Sequence, residues 1–145
     1  MDSGILVVSA VDGPMPQTKE HVLLCRQIGV GNILIFMNKM DMIQETDMVD
    51  LIELELKELL KKHDYDPEKS AFIRGSALNY LQDTNPELGE KSIEALLHAM
   101  DTKIEITGRP IDKPFFMAVE STYSVAGRGA VACGTVEQGK VKVGD

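Results

Sequence analysis

The chain has 145 residues, enough for one ordinary domain or for one domain and a piece of another. Its 43% hydrophobic and 26% charged content is that of a soluble globular protein. A net charge of −8 argues against a general polyanion binder, because counterion-release binding needs a positive face.

The first apolar run, GILVVSA at 4–10, is rich in β-branched residues and predicts a strand inside a parallel sheet. DGPMPQT at 12–18 supplies a turn, with Pro14 and Pro16 suited to the approach and first turn of a helix. That helix is expected over about 17–28, with Val22, Cys25 and either Ile28 or Leu24 buried and Gly29 at the stop. NILIFMN at 32–38 predicts a second buried strand.

A helix capped by Thr46 or Asp47 then runs to about Lys62. Its expected stripe is Met48, Leu51, Ile52, Glu55 or Leu56, and Leu59, with acids early and lysines late as the helix dipole prefers. AFIRGSA at 71–77 predicts a third, short strand, and 92–104 a helix with Ile93, Leu96, Leu97 and Met100 on one face. Alternating strands and helices mean right-handed βαβ units around a parallel sheet.

At 105–115 two prolines and a glycine read as an interdomain linker. Beyond it FFMAVEST, GAVACGTVEQG and KVKV predict antiparallel β structure. The domains expected are 1–107, a linker at 108–111, and an incomplete β unit at 112–145. The last has four basic residues (Lys113, Arg128, Lys140, Lys142) against four acidic ones (Asp112, Glu120, Glu137, Asp145), so the charge excess lies in 1–111.

Cys25 and Cys133 are far apart, each inside an apolar pattern, and form no disulfide framework or CxxC site. Both read as small core residues in a reducing compartment. His63 and His98 have no partner pattern and read as surface or packing residues. No apolar run approaches the ~18 residues of a membrane span, and no targeting peptide is visible.

The chemistry gathers at strand ends, where ligands bind in open α/β sheets. Asn38-Lys39-Met40-Asp41 closes the second strand and Ser76-Ala77-Leu78 the third. An aspartate there accepts two parallel N–H bonds from one planar edge; guanine offers that edge and adenine does not. The lysine stem can lie across the base, and main-chain amides at 76–78 can meet the guanine carbonyl oxygen. NKxD by itself equally fits a turn and helix cap. Its pairing with a Ser-Ala turn after the next strand favours the guanine reading.

These residues, with MDSGILVVSAVDGPMPQTKEHVLLCRQIGV, RGSAL and DKPF…V…YSVAGRG, closely resemble the elongation factor Tu family of translational GTPases, and its mitochondrial branch more than the bacterial one. The resemblance spans essentially the whole chain. It implies a partial P-loop-type α/β GTPase domain followed by the start of an antiparallel β-barrel domain, and GTP-dependent delivery of aminoacyl-tRNA to the ribosome. Asn38, Lys39, Asp41, Ser76, Ala77 and Leu78 then bind the guanine of GTP or GDP. Gln17, His21 and Leu24 become the contact for a nucleotide exchange factor, and the acidic helix 47–62 meets that factor and a ribosomal stalk protein.

The aminoacyl-tRNA pocket would draw on Glu120, Tyr123, Val125, Arg128 and Cys133. Here Ser121, Thr122 and Ala126 depart from the family's residues, and Ala130 and Cys133 replace threonines, removing hydroxyl donors. The resemblance implies a monomer without membrane contacts, in a mitochondrial matrix or alternatively a bacterial cytoplasm.

The 145 residues contain no GxxxxGK[ST] phosphate loop and no DxxG segment. By the resemblance, these and the Mg2+ ligands precede Met1, and the chain is an internal stretch of such a factor, itself inactive as a GTPase. Two other readings stand beside this one. One is a different NKMD-containing translational or sulfate-activating GTPase; the other is a degenerate paralogue acting only as a binding protein.

Overall fold

A computed structural model describes residues 1–106 and 108–145. Its contacts divide the chain into two compact units, Met1–Ile106 and Thr107–Asp145. Residue 107, the last of the predicted first domain, lies outside the described residues.

The first unit is α/β, with elements β1 (Ser3–Ser9), α1 (Pro16–Gln27), β2 (Asn32–Asn38), α2 (Thr46–Lys62), β3 (Phe72–Arg74), α3 (Ala77–Leu81) and α4 (Glu90–Lys103). The three strands form one parallel sheet in the order β1-β2-β3. β2 sits in the middle because its five central residues, Ile33 to Met37, are all buried and suit a strand covered on both faces. Strand alternation sends Ile33, Ile35 and Met37 into a cluster with Val8, Val22, Val49, Leu56 and Leu60. Leu34 and Phe36 meet Ile73 and Ala99 on the opposite face.

The helix stripes differ in phase from the expected ones. On α2 the buried residues are Val49, Leu56, Leu59 and Leu60, whereas Met48 and Leu51 are exposed. The helix has apolar side chains on more than one stripe, and the sheet selects the one that meets Val8 and Ile35. On α1 only Val22 is fully covered; Cys25 is half-buried, and Leu24 and Ile28 are exposed. Leu97 of α4 is likewise exposed. Glu45, in extended conformation, precedes α2 in place of the expected Thr46 or Asp47 cap.

β1 is an edge strand, and its Ile5 and Val7 stay exposed although both faces were expected to be covered. They pair with Leu34 and Phe36, but the cluster on that face contains no β1 residue because α4 packs over β2 and β3.

The second unit is one antiparallel hairpin, β4 (Phe116–Val125) and β5 (Gly129–Gln138), with register shifts between Phe116 and Met117 and between Val119 and Ser121. Positive φ at Gly127 and Gly129 lets the chain reverse around Arg128, whose N–H bonds the Val125 carbonyl at 3.0 Å. KVKV forms no strand, and Cys133 is exposed, not a core residue, since a lone two-stranded ribbon offers no interior.

Candidate functional site

The carboxyl ends of all three strands converge. The Ala10 amide bonds the Asn38 carbonyl at 2.8 Å, which ties the β1 exit to the β2 exit. The Gly75 amide bonds the Met37 carbonyl at 2.9 Å and the Met40 amide bonds the Gly75 carbonyl at 3.2 Å, tying β2 to β3. Met40 is buried and anchors a single 3-10 turn over Met40–Met42, so the polar residues on either side of it face outward.

Two side-chain bonds then lock the loops together. The Ala77 amide donates to Asn38 Oδ1 at 3.0 Å. Because a backbone N–H is a donor, Asn38 must present its oxygen there, and its NH2 keeps no protein acceptor among the described residues. The Ser76 hydroxyl donates to Asp41 Oδ1 and accepts the Asn79 amide at 3.2 Å. Ser76 is wholly buried, whereas Asp41 is exposed. A carboxylate has about four lone-pair positions, so one hydroxyl leaves most of its accepting capacity facing outward.

The three residues of the Ser-Ala-Leu turn are therefore not equivalent. The Ser76 amide is spent on the Leu88 carbonyl at 2.7 Å and the Ala77 amide on Asn38. Only the Leu78 amide has no acceptor among the described residues. Lys39 adopts left-handed backbone, φ 66°, and its Nζ lies 3.6 Å from Asp12 Oδ2. Both partners are about half exposed, so this pair orients the lysine more than it stabilises the fold. Asp12 is held below its ordinary value first by a hydrogen bond with Ser9 and then, against some desolvation, by Lys39.

Sequence reasoning missed Ser9, Asp12, Gly75, Leu88 and Ser92, which shape this corner without matching the motif. Ser9 carried a signal: a serine at a strand end followed by Asp-Gly fits a side-chain-capped turn, and its Oγ accepts the Val11 and Asp12 amides at 3.3 Å. Leu88 acts through its carbonyl, which no sequence pattern reveals.

Gln17, His21 and Leu24 lie along one face of α1, all exposed, and take no part in this cluster. In the hairpin, alternation places Tyr123, Val125, Val131 and Cys133 on one face. Glu120, at the irregularity, reaches the same face by accepting the Thr135 hydroxyl at 2.9 Å. The described residues contain no group of three or more His, Cys, Asp or Glu side chains suited to a metal. Among the described residues no helix is long and apolar enough to cross a membrane.

The first unit is also what a family model recognises: the one described as the elongation factor Tu GTP binding domain matches residues 1–106.

Proposed function

The chain belongs to the family of the elongation factor Tu GTP-binding domain, and from that premise we propose that it serves GTP-dependent delivery of aminoacyl-tRNA to the ribosome during translation elongation. The family is one of translation-factor-type GTPases that bind GTP and GDP. The part these residues play is to read the base.

The observation behind this reading is the interlock of the two loops, Ala77 N–H on Asn38 and Ser76 O–H on Asp41. On this reading one acidic and one amide-bearing surface meet the same planar rim. Asp41 accepts the guanine ring N–H and exocyclic amine, while the Leu78 amide, together with a rearranged Ala77 amide, meets the carbonyl oxygen. The Asn38 NH2 donates to the ring nitrogen acceptor of the purine on this reading, and the Lys39 stem covers one face of the base. Adenine, with an amine where guanine has the carbonyl and no second amine, loses each base-specific bond.

GTP, when bound, supplies the phosphoanhydride whose hydrolysis switches the factor. Holding and cleaving it requires a phosphate loop, magnesium ligands and a water-positioning group; the sequence holds no GxxxxGK[ST] and no DxxG segment to supply the first of these and the metal-site aspartate. Gln17, His21 and Leu24 form the exposed face offered to an exchange factor, and Glu120, Tyr123, Val125, Arg128 and Cys133 the hairpin's contribution to the aminoacyl-tRNA pocket. We place the factor in the mitochondrial matrix as a monomer. Titrating the chain with guanosine and adenosine monophosphates tests the core of this reading: shifts of the Leu78 and Ala77 amides with the first only are expected, and equal shifts with both contradict it.

A further inference from the structure

Behind the proposed base-reading residues Asn38–Asp41 and Ser76–Leu78 lies a second layer that does not itself face the base. β3 leaves the sheet at Arg74, and the next residue, Gly75, is pressed against the first turn of α4. A Cβ on Gly75 would collide with the Ser92 Oγ, would stand 2.6 Å from the Ser92 Cβ and would stand 2.8 Å from Phe36 Cζ. Gly75 has no positive φ, so glycine is required here by close approach and not by backbone conformation.

Ser92 is buried, and its hydroxyl bonds back to the Leu88 carbonyl at 2.7 Å, with the Gly89 carbonyl at 2.8 Å. That same Leu88 carbonyl accepts the Ser76 amide at 2.7 Å. Both acceptor positions of one carbonyl are thus filled, one from α4 and one from the loop. Leu88 is itself held by its amide on the Asn85 carbonyl at 3.1 Å.

We infer that Ser92 and Gly75 are positioning residues for the Asp41 carboxylate: a buried Ser92–Leu88–Ser76 chain of hydrogen bonds, closed by the Gly75 contact, sets where Ser76 holds Asp41. Ser92 sits on another helix and never meets the base. It fixes the Leu88 carbonyl, which fixes the Ser76 main chain, and the buried Ser76 hydroxyl then aims the carboxylate. Interiors this densely packed transmit sub-ångström shifts and do not absorb them. The guanine edge needs both Asp41 bonds in register, and a tilt of the carboxylate loses the one to the exocyclic amine first. Ser92 is therefore a determinant of base preference acting from behind the site. This inference rests on the guanine reading proposed above.

The test compares guanosine monophosphate with inosine monophosphate, which lacks only the exocyclic amine, in amide-resolved titrations of the full 145-residue chain. The wild type is expected to prefer the guanine form. Ser92→Ala removes the hydroxyl, and Gly75→Ala pushes the loop off α4. Each should cut that preference about tenfold, the loss of roughly one charge-assisted bond, while the amide spectrum keeps the dispersion of a folded sheet. Gly75→Ala combined with Ser92→Gly removes the collision with Ser92 and leaves only the tip of the Phe36 ring to move. Because it also removes the Ser92 hydroxyl, its preference should match that of Ser92→Ala and fall no further, although glycine in the first turn of α4 lowers stability.

A purely structural role predicts the opposite pattern, lower stability with an unchanged ratio. A wild type that discriminates, with Ser92→Ala and Gly75→Ala discriminating equally well, overturns this inference and leaves the guanine reading standing. A wild type with no preference removes both.

Discussion

The buried hydroxyl of Ser76 donates to the exposed carboxylate of Asp41, and so joins the two loops that leave β2 and β3. The same oxygen caps α3 through the Asn79 amide. Ser76→Ala abolishes both bonds. A lost helix cap costs about 1 kcal/mol, and a lost hydrogen bond to a charged group costs about as much again or more. The expected destabilisation is about 2 kcal/mol by urea unfolding, with the guanine-over-inosine preference falling alongside it. Unchanged stability would show that the hydroxyl is replaceable by water.

A second tether lies one residue before Gly75. Arg74 reaches α2, its Nη2 2.7 Å from Asp50 Oδ1 and 2.6 Å from Glu53 Oε2, and Glu53 also meets Lys57 at 2.8 Å. Burial works to raise the Glu53 carboxyl, but hydrogen bonds from Lys57 and Arg74 outweigh it and hold the group below its ordinary value of 4.5. A carboxyl depressed in the folded state contributes stability that is present above its unfolded value and is lost as pH falls through the folded one. Glu53→Gln is therefore expected to cost about 1 kcal/mol at pH 7 and nothing well below pH 4, where the wild type has lost the same contribution. Equal costs at both pH values would assign the effect to packing instead.

Much of the fold was legible because β2 is apolar on both faces and has one place to go, the centre of a parallel sheet. The polar residues at the ends of β2 and β3 were legible for the same reason, since a buried strand must end where Asn38 and Ser76 stand. The helix phases were less so. α2 has apolar residues at 48, 49, 51, 52, 54, 56, 59 and 60, so more than one stripe fits the helical period, and only packing against the sheet decides that Val49 is inside and Met48 outside. α3, five residues long, is too short to show a period. The Leu88 carbonyl and the Gly75 contact are main-chain features, invisible to side-chain patterns.

The bare face of β1 gives a solubility prediction. Val7 is 59% exposed beside Ile5 on an edge strand, an arrangement that favours edge-to-edge association. Val7→Lys should raise the concentration at which the chain remains monomeric by light scattering. The unfolding free energy should shift by less than about 0.5 kcal/mol, as for other exposed substitutions. A large loss of stability would mean that Val7 is covered in solution.

The purified 145-residue chain should release no phosphate from GTP above the uncatalysed rate, with or without Mg2+, because phosphoryl transfer depends on positioned charges and the sequence holds no GxxxxGK[ST] or DxxG segment. Magnesium-dependent turnover retained through successive purification steps would contradict that.

The most direct test is exchange of one atom type on Asp41. Asp41→Asn replaces an acceptor oxygen by a donor NH2, which suits xanthine, whose carbonyl stands where guanine has its exocyclic amine. In paired titrations with guanosine and xanthosine monophosphates, the wild type should favour guanine and the variant xanthine. A variant that still favours guanine as strongly as the wild type would show that Asp41 does not read the base.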